Sequence, residues 1–288
     1  MPRLLVLVLV LAACHKEPPP DKQDTAPESR DVSIQFRAMF DKIPFECRTQ
    51  VSEIGLSVTT VRPTDMRLFV HDVALIDANT GDAVPVELTA GSPWSGDGLT
   101  LLDFESGDGF CEGGTPGMND VVVGTVPGGA YDGVTFKIGV PFAFDHQTLE
   151  AAAPPLDVAG MFVNPITGWQ HFQLGLSPTS GGQTTWPVQI HAVNCVHDGT
   201  GPVTSCAADN VTTWTFSHFA PDDDTIDMDL STLLKTSDLT RNAVVASGGG
   251  GYDTPKGCQS DPNDTDCQPV FNQFGLNPLA TPTFIQVN

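Results

Sequence analysis

Basic residues are the first scarcity of the chain: 13 Lys and Arg stand against 35 Asp and Glu in 288 residues, a formal net charge of −22. So acidic a surface argues against nucleic acid, because phosphate contacts need clustered Lys and Arg. Charged residues of both signs make up only 17%. Helix-favouring Lys, Arg and Glu are therefore too sparse for a helical bundle or a coiled coil. Enzyme signatures are absent too: no GxSxG, no GxxxxGK[ST], no HExxH, and no GxGxxG between a strand and a helix. With no such motif, an enzyme reading has no anchor. What the chain does contain is 40% hydrophobic residues with 28 Gly and 24 Pro, enough for a sizeable core broken by many turns. The expectation is an all-β protein, a β-sandwich or barrel-like single domain with long loops.

Residues 1–13 (MPRLLVLVLVLAA) join one Arg to a short apolar run that ends in small residues just before Cys14, the arrangement of a signal peptide. The run is too short to span a bilayer. Leu11-Ala12-Ala13-Cys14 resembles the bacterial lipobox, which implies cleavage before Cys14 and lipidation of its thiol. His15, rather than Asp, follows the Cys, so the resemblance implies a lipid anchor in the outer membrane of a Gram-negative cell. Residues 14–30 are then the acylated Cys and a Pro-rich, charged tether, and residues 31–288 the β-rich domain. Six cysteines remain, an even number in an exported chain where disulfides persist. No CxxC occurs among them. They allow 15 pairings. Short separations favour Cys195 with Cys206 and Cys258 with Cys267, leaving Cys47 with Cys111.

About ten segments read as strands. Val32, Ile34, Phe36 and Ala38 alternate with polar residues, and the others are 67–76, 84–88, 99–104, 121–126, 133–140, 170–176, 186–193, 211–219 and 225–230. Turn chemistry separates them, as in Asn79-Thr80-Gly81-Asp82 and Ser180-Gly181-Gly182. Helix is expected only in short pieces, with 230–235 and 268–274 the best candidates, and Gly248 to Gly251 reads as an exposed loop.

Histidine carries the most information. On either side of the Gly181-Gly182 turn lie two apolar faces, Phe172, Leu174 and Leu176 on one strand, and Trp186, Val188 and Ile190 on the other. Bringing these faces together fixes the register as Phe172 with Ile190, Leu174 with Val188 and Leu176 with Trp186. The same register sets His171 opposite His191, with Cβ atoms about 4.5–5.5 Å apart, close enough for two imidazoles to share a metal. His146 is a natural third ligand and His71 a fourth candidate. The plainer alternative is a half-buried pair of imidazoles bonded to backbone or water. His15, His197 and His218 read as tether, loop and edge residues. The acidic strings Asp222 to Asp224, with Asp227 and Asp229, and Asp261 to Asp266 offer oxygen ligands for Ca²⁺, but neither has EF-hand spacing, and solvated loop charge is the preferred reading. Asp103 and Glu105 are expected on one strand face as a structural pair.

Several blocks in fixed order resemble the MbnP-like copper-binding proteins, also known as the four-Cys-motif proteins of the metallo-mystery pair system. They are RPTDMRLFVHDVALID (62–77), LLDFESGDGFC (101–111), GTVPGGAYDGVTFKIGVPFAFDH (124–146), APPLDVAGMF (153–162) and GCQSDPNDTDC (257–267). The resemblance implies an exported β-rich carrier or store of copper, as Cu⁺ or Cu²⁺, that works with a dihaem cytochrome c peroxidase-like partner. In some relatives that partner oxidises a Trp to kynurenine beside the copper. Phe142 to His146 matches the family loop ending in Asn-His, and His191 matches a His that precedes a Cys. Two expected Trp positions hold Val163 and Pro165 here. Trp169, two residues before His171, would put an oxidisable ring on the strand face of the proposed metal. The competing reading is a cell-surface binding or adhesion module with Ca²⁺ in its acidic loops and a structural His pair.

Overall fold

The computed structural model describes residues 28–90, 93–199, 202–242, 257–261 and 263–288. The signal segment, Cys14, His15, most of the tether and the Gly248 to Gly251 run lie outside them. Two β-sheets face each other. The first, of six strands, has the order Ile285–Val287, Thr225–Asp229, Ser29–Phe40, Val121–Pro127, Glu87–Leu88, with Ile43–Pro44 also paired to Ser29–Phe40. The second, of nine strands, runs Val188–Ile190, Phe172–Pro178, Thr59–Asp77, Tyr131–Ile138, Thr212–Phe216, with four short or flanking strands added on and around Thr59–Asp77. Period-2 side chains explain the pairing. Val32, Ile34, Phe36, Ala38 and Phe40 of the first sheet pack into one core with Leu68, Val70, Leu75, Phe136, Phe172 and Leu174 of the second. Each such side chain, once buried, contributes about 1.5–3 kcal/mol. The edge-on contact of Phe36 with Phe136, centroids 5.4 Å apart, joins the layers.

All ten expected strands are present, with shifted ends. The first begins at Ser29, two residues before the expected start of the domain, because Ser29 and Arg30 still pair with Pro127 and Val126. Segment 84–88 is two strands: Val84 pairs with Leu75 in the second sheet, and Leu88 with Gly124 in the first. Pro85 still pairs with Ala74 and the Val86 amide donates to the Val73 carbonyl (2.8 Å), so the chain crosses from one sheet to the other between Val86 and Glu87. Helices occupy Leu230–Leu234 and Cys267–Phe274. Asp229 caps the former, accepting from the Ser231 amide at 3.0 Å, and Phe274 of the latter packs against Phe172 and Phe284. Disulfides join Cys47 to Cys111, Cys195 to Cys206 and Cys258 to Cys267. No helix among the described residues is long and apolar enough to cross a membrane.

A second, smaller core sits on the outer face of the nine-stranded sheet and positions the site. Phe69, Leu99, Leu101, Val140, Leu156, Met161 and Trp169 form it. Thr59–Asp77 therefore buries both faces: Met66, Leu68 and Val70 turn to the sandwich core, Phe69 to the outer one. A β-bulge follows, since three steps from His71 to Ala74 oppose two from Lys137 to Thr135, and Asp72 there takes φ 49°. The extra residue returns Val73 and Leu75 to the sandwich core and leaves His71 on the outer face beside Phe69.

Candidate metal centre

Strands Phe172–Pro178 and Tyr131–Ile138 lie end to end along one edge of Thr59–Asp77, the first pairing with residues 61–68 and the second with 70–77. At the seam the Phe69 amide donates to the His171 carbonyl (3.0 Å) and the Gly139 amide to the Phe69 carbonyl (2.9 Å). Residues 139–171 are one excursion over the outer face whose two ends meet here. Gly139, at φ 140°, permits the meeting, because a Cβ on it would stand 3.1 Å from His171 Nδ1. The excursion carries the helical turn Phe142–Asp145 and then His146 back over His171.

Asp145 is the centre of the arrangement. Its side chain is 3% exposed. Oδ1 accepts the Trp169 amide at 2.8 Å, while Oδ2 lies 3.3 Å from His171 Nε2 and 3.8 Å from His146 Nε2. Gly168, at φ 85°, makes room for the carboxylate, since a Cβ there would collide with it. The other ring nitrogen of His171 faces the Asn210 carbonyl at 3.4 Å. Both neighbours of this ring are acceptors.

The expected hairpin register holds, with Phe172 opposite Ile190 and Leu174 opposite Val188. The Trp186 amide donates to the Leu176 carbonyl and the His171 amide to the Ile190 carbonyl, at 2.8 and 2.6 Å. His191 follows at the strand end. Its amide donates to Ser260 Oγ (2.8 Å), so the segment between Cys258 and Cys267 pins it. Its Nδ1 is 2.9 Å from the Ala192 carbonyl. A carbonyl only accepts, so Nδ1 holds the proton and Nε2 keeps its lone pair. Burial lowers the His191 pKa, with His171 adding to the effect against the Ala192 carbonyl and Asp145. His71 is 4% exposed; its Nδ1 lies 3.5 Å from Asp72 Oδ2, and its Nε2 is buried without a hydrogen-bond partner. Burial lowers its pKa as well, with Lys137 and His171 pushing the same way and Asp72 opposing. His146 Nδ1 is likewise buried without a partner, and the His146 ring stands edge-on to Phe142, centroids 4.9 Å apart.

The structure thus places His146 and His171 on one carboxylate of the outer face, while among the described residues no three of the predicted histidines and Asp145 bring ligand atoms within 4.8 Å of one another. His171 interacts electrostatically with both His71 and His191, and Asp145 with His191. Two participants were not predicted. In the sequence Asp145 is set apart only by standing where the family loop has Asn. The second is the Cys195–Cys206 disulfide, whose Cys206 Sγ lies 3.4 Å from His146 Nε2. Trp169 is fully buried in the outer core, donates its indole N–H to the Leu156 carbonyl at 2.9 Å and packs on Phe162 at 4.7 Å. A cleft of about 430 Å³ leads in from the surface past His191, Cys195, Ile166 and Asp261.

The acidic strings serve turns and ion pairs. Asp222 meets Arg30 at 3.0 Å, Asp224 accepts the Ala220 amide, and Asp227 holds Arg37 through two bonds of 2.6 and 2.7 Å. Asp261 and Asp264 each accept an amide two residues on, from Asn263 and Asp266. Asp103 and Glu105 are buried, but the strand ends at Asp103, and Glu105 instead accepts the Gly107 and Thr115 amides at 2.8 and 2.7 Å. Arg67 compensates this charge, paired with Asp65 at 2.5 Å.

Among proteins of curated function, none matches the chain. Among solved structures it is similar to MbnP from Methylosinus trichosporium, with 27% sequence identity and a TM-score of 0.76 over 91% of this chain and 99% of that one. The MbnP family model matches residues 29–254, more than three quarters of the 288 residues, and the chain belongs to the MbnP family.

Proposed function

We propose that this protein binds copper on the outer face of its nine-stranded sheet, through His146, His171 and His191 with His71, and acts as a carrier or store rather than a catalyst. One observation carries the reading: His146 and His171 both face the buried Asp145 carboxylate, and His146 Nδ1 and, on the neighbouring His71, Nε2 are buried without a partner. Buried polar groups are ordinarily satisfied, and a cation among them satisfies these. Imidazole donors suit copper in either oxidation state. The depressed pKa values of His71 and His191 keep them neutral, as ligation requires. Asp145 would either join the ligand set or fix the His171 ring as an outer partner.

The lipobox-like N-terminus supports export and anchoring in the outer membrane, and family membership supports a dihaem peroxidase-like partner. Trp169 is the ring on which such a partner's oxidation would fall. The test is metal content per chain after loading with mixed Cu, Zn and Ca and desalting, read by elemental mass spectrometry beside His171→Ala. About one copper per wild-type chain, much reduced in the variant, is expected. Calcium retained with no copper in either protein would refute the reading in favour of a Ca²⁺-stabilised surface module. Intact-mass and peptide spectra of protein purified with its native partners would report whether Trp169 becomes kynurenine.

A further inference from the structure

The three disulfides are not equivalent. Cys47, Cys111, Cys258 and Cys267 are at most 4% exposed, whereas Cys195 and Cys206 are half-buried, and Cys195 lines the open cleft. The reachable disulfide is also the one against a histidine. His146 Nε2 and the two sulfurs all lie within 4.8 Å of one another, the group of three metal-capable atoms so clustered among the described residues. Two ligand atoms about 2.1 and 2.3 Å from one ion, at a near-tetrahedral angle, stand about 3.6 Å apart. Cys206 Sγ and His146 Nε2, at 3.4 Å, already have nearly that separation.

The sulfurs are held near each other by more than their own bond. The Val193 amide donates to the Ala208 carbonyl (2.9 Å) and the Ala207 amide to the Val193 carbonyl (3.1 Å), clamping the loop at its base. Val196–His197 pairs with Val203–Ser205 inside it. Opening the bond leaves both thiols on a preformed hairpin beside His146.

We infer that Cys195, Cys206 and His146 form a redox-gated site for a thiophilic d¹⁰ cation such as Cu⁺ or Zn²⁺. A dithiol reductant entering through the cleft opens the disulfide by exchange. Two electrons and two protons pass to Cys195 and Cys206, and the reductant leaves as its own disulfide. Binding the ion to both thiolates releases the two protons. The donor set then changes from imidazole and carboxylate, suited to either copper state, to two thiolates and one imidazole, which select softer ions. The site shares His146 with the copper centre proposed above but stands on the sulfur geometry.

The test uses purified protein and a water-soluble phosphine, which reduces a disulfide by taking up the oxygen of water to give the phosphine oxide and two thiols. Alkylation and peptide mapping should find Cys195 and Cys206 modified first. Equal or earlier modification of Cys47, Cys111, Cys258 or Cys267 would overturn the gating. Cd²⁺ is then titrated into reduced and oxidised protein without oxygen. One equivalent is expected to bind at least tenfold more tightly to the reduced form, with an ultraviolet thiolate-to-cadmium absorption that the oxidised form lacks. Cys195→Ser/Cys206→Ser should lose both signals. If that variant does not fold, reduced and alkylated wild-type protein serves as the same control. His146→Ala should weaken Cd²⁺ at least tenfold, and unchanged affinity there would refute the three-residue site. Failure of the copper proposal would appear instead as copper lost from oxidised protein, leaving the cadmium result intact.

Discussion

Replacing His71 by Leu should stabilise the metal-free protein while impairing it as a copper binder. Nε2 of His71 is buried without a partner and Nδ1 has only the Asp72 carboxylate, at 3.5 Å, and a buried polar group left unsatisfied costs about 1–3 kcal/mol. Leucine carries no polar atom and keeps contact with the outer core. After allowance for its different shape, the metal-free domain gains about 1–2 kcal/mol. For a chain of this size that raises the melting temperature by about 2–8 °C. Copper should act in the opposite sense: at a free concentration one hundred times its Kd it stabilises the wild type by about 2.7 kcal/mol, and the variant by less. The assay is calorimetric melting of wild type and His71→Leu, each with chelator and with copper. A metal-free variant that melts below wild type, or that keeps the full copper-induced shift, would refute the reasoning and make His71 an ordinary packing residue.

Gly139→Ala should cost about 1–3 kcal/mol in chemical denaturation, because the backbone is at φ 140° and the new methyl would press on His171. The same variant should show weaker copper retention in the desalting assay. Burial, and then Glu105, raise the pKa of Asp103 from 3.8 to about 7. A carboxyl raised on folding stabilises the native state below its unfolded pKa, and that contribution is lost as pH rises through the folded value. Stability should therefore decline between about pH 4 and pH 7, by up to about 4 kcal/mol from this group, and Asp103→Asn should flatten the decline in urea titrations across that range. Arg67→Met leaves Asp65, Asp103 and Glu105 with no cation between them and should cost about 3–5 kcal/mol. A loss below about 1 kcal/mol in the same titrations would show that the buried carboxylates are neutral.

Much was legible in the sequence wherever the determining interactions are local or set by periodicity. Alternating apolar residues and runs of β-formers between turn residues located the ten strands, since both are local properties of the chain. The hairpin register followed from two apolar faces flanking one turn, because a slip by one residue would turn Phe172, Leu174 and Leu176 away from the core. Short separations also indicated which cysteines pair. The His171 and His191 juxtaposition came from that register. His146 was a candidate third ligand from its loop, and the family resemblance supported it, as no local pattern ties residue 146 to residue 171.

What only the tertiary structure decided is how distant segments meet. Alternation cannot foresee the bulge at Asp72, which keeps His71 on the outer face while Val73 and Leu75 rejoin the sandwich core. Nor could it foresee that one apolar run is divided between two sheets after Val86. Asp145 looked like a loop acid in the sequence. It came to face His146 and His171 because two strands abut along one edge of Thr59–Asp77, so that the excursion between them closes over His171. The placement of Cys206 beside His146, 60 residues away, has the same origin. Strand formation and face are fixed by neighbours within a few residues, whereas a site between loops is fixed by which edges the sheet leaves for pairing, and only the folded chain settles that.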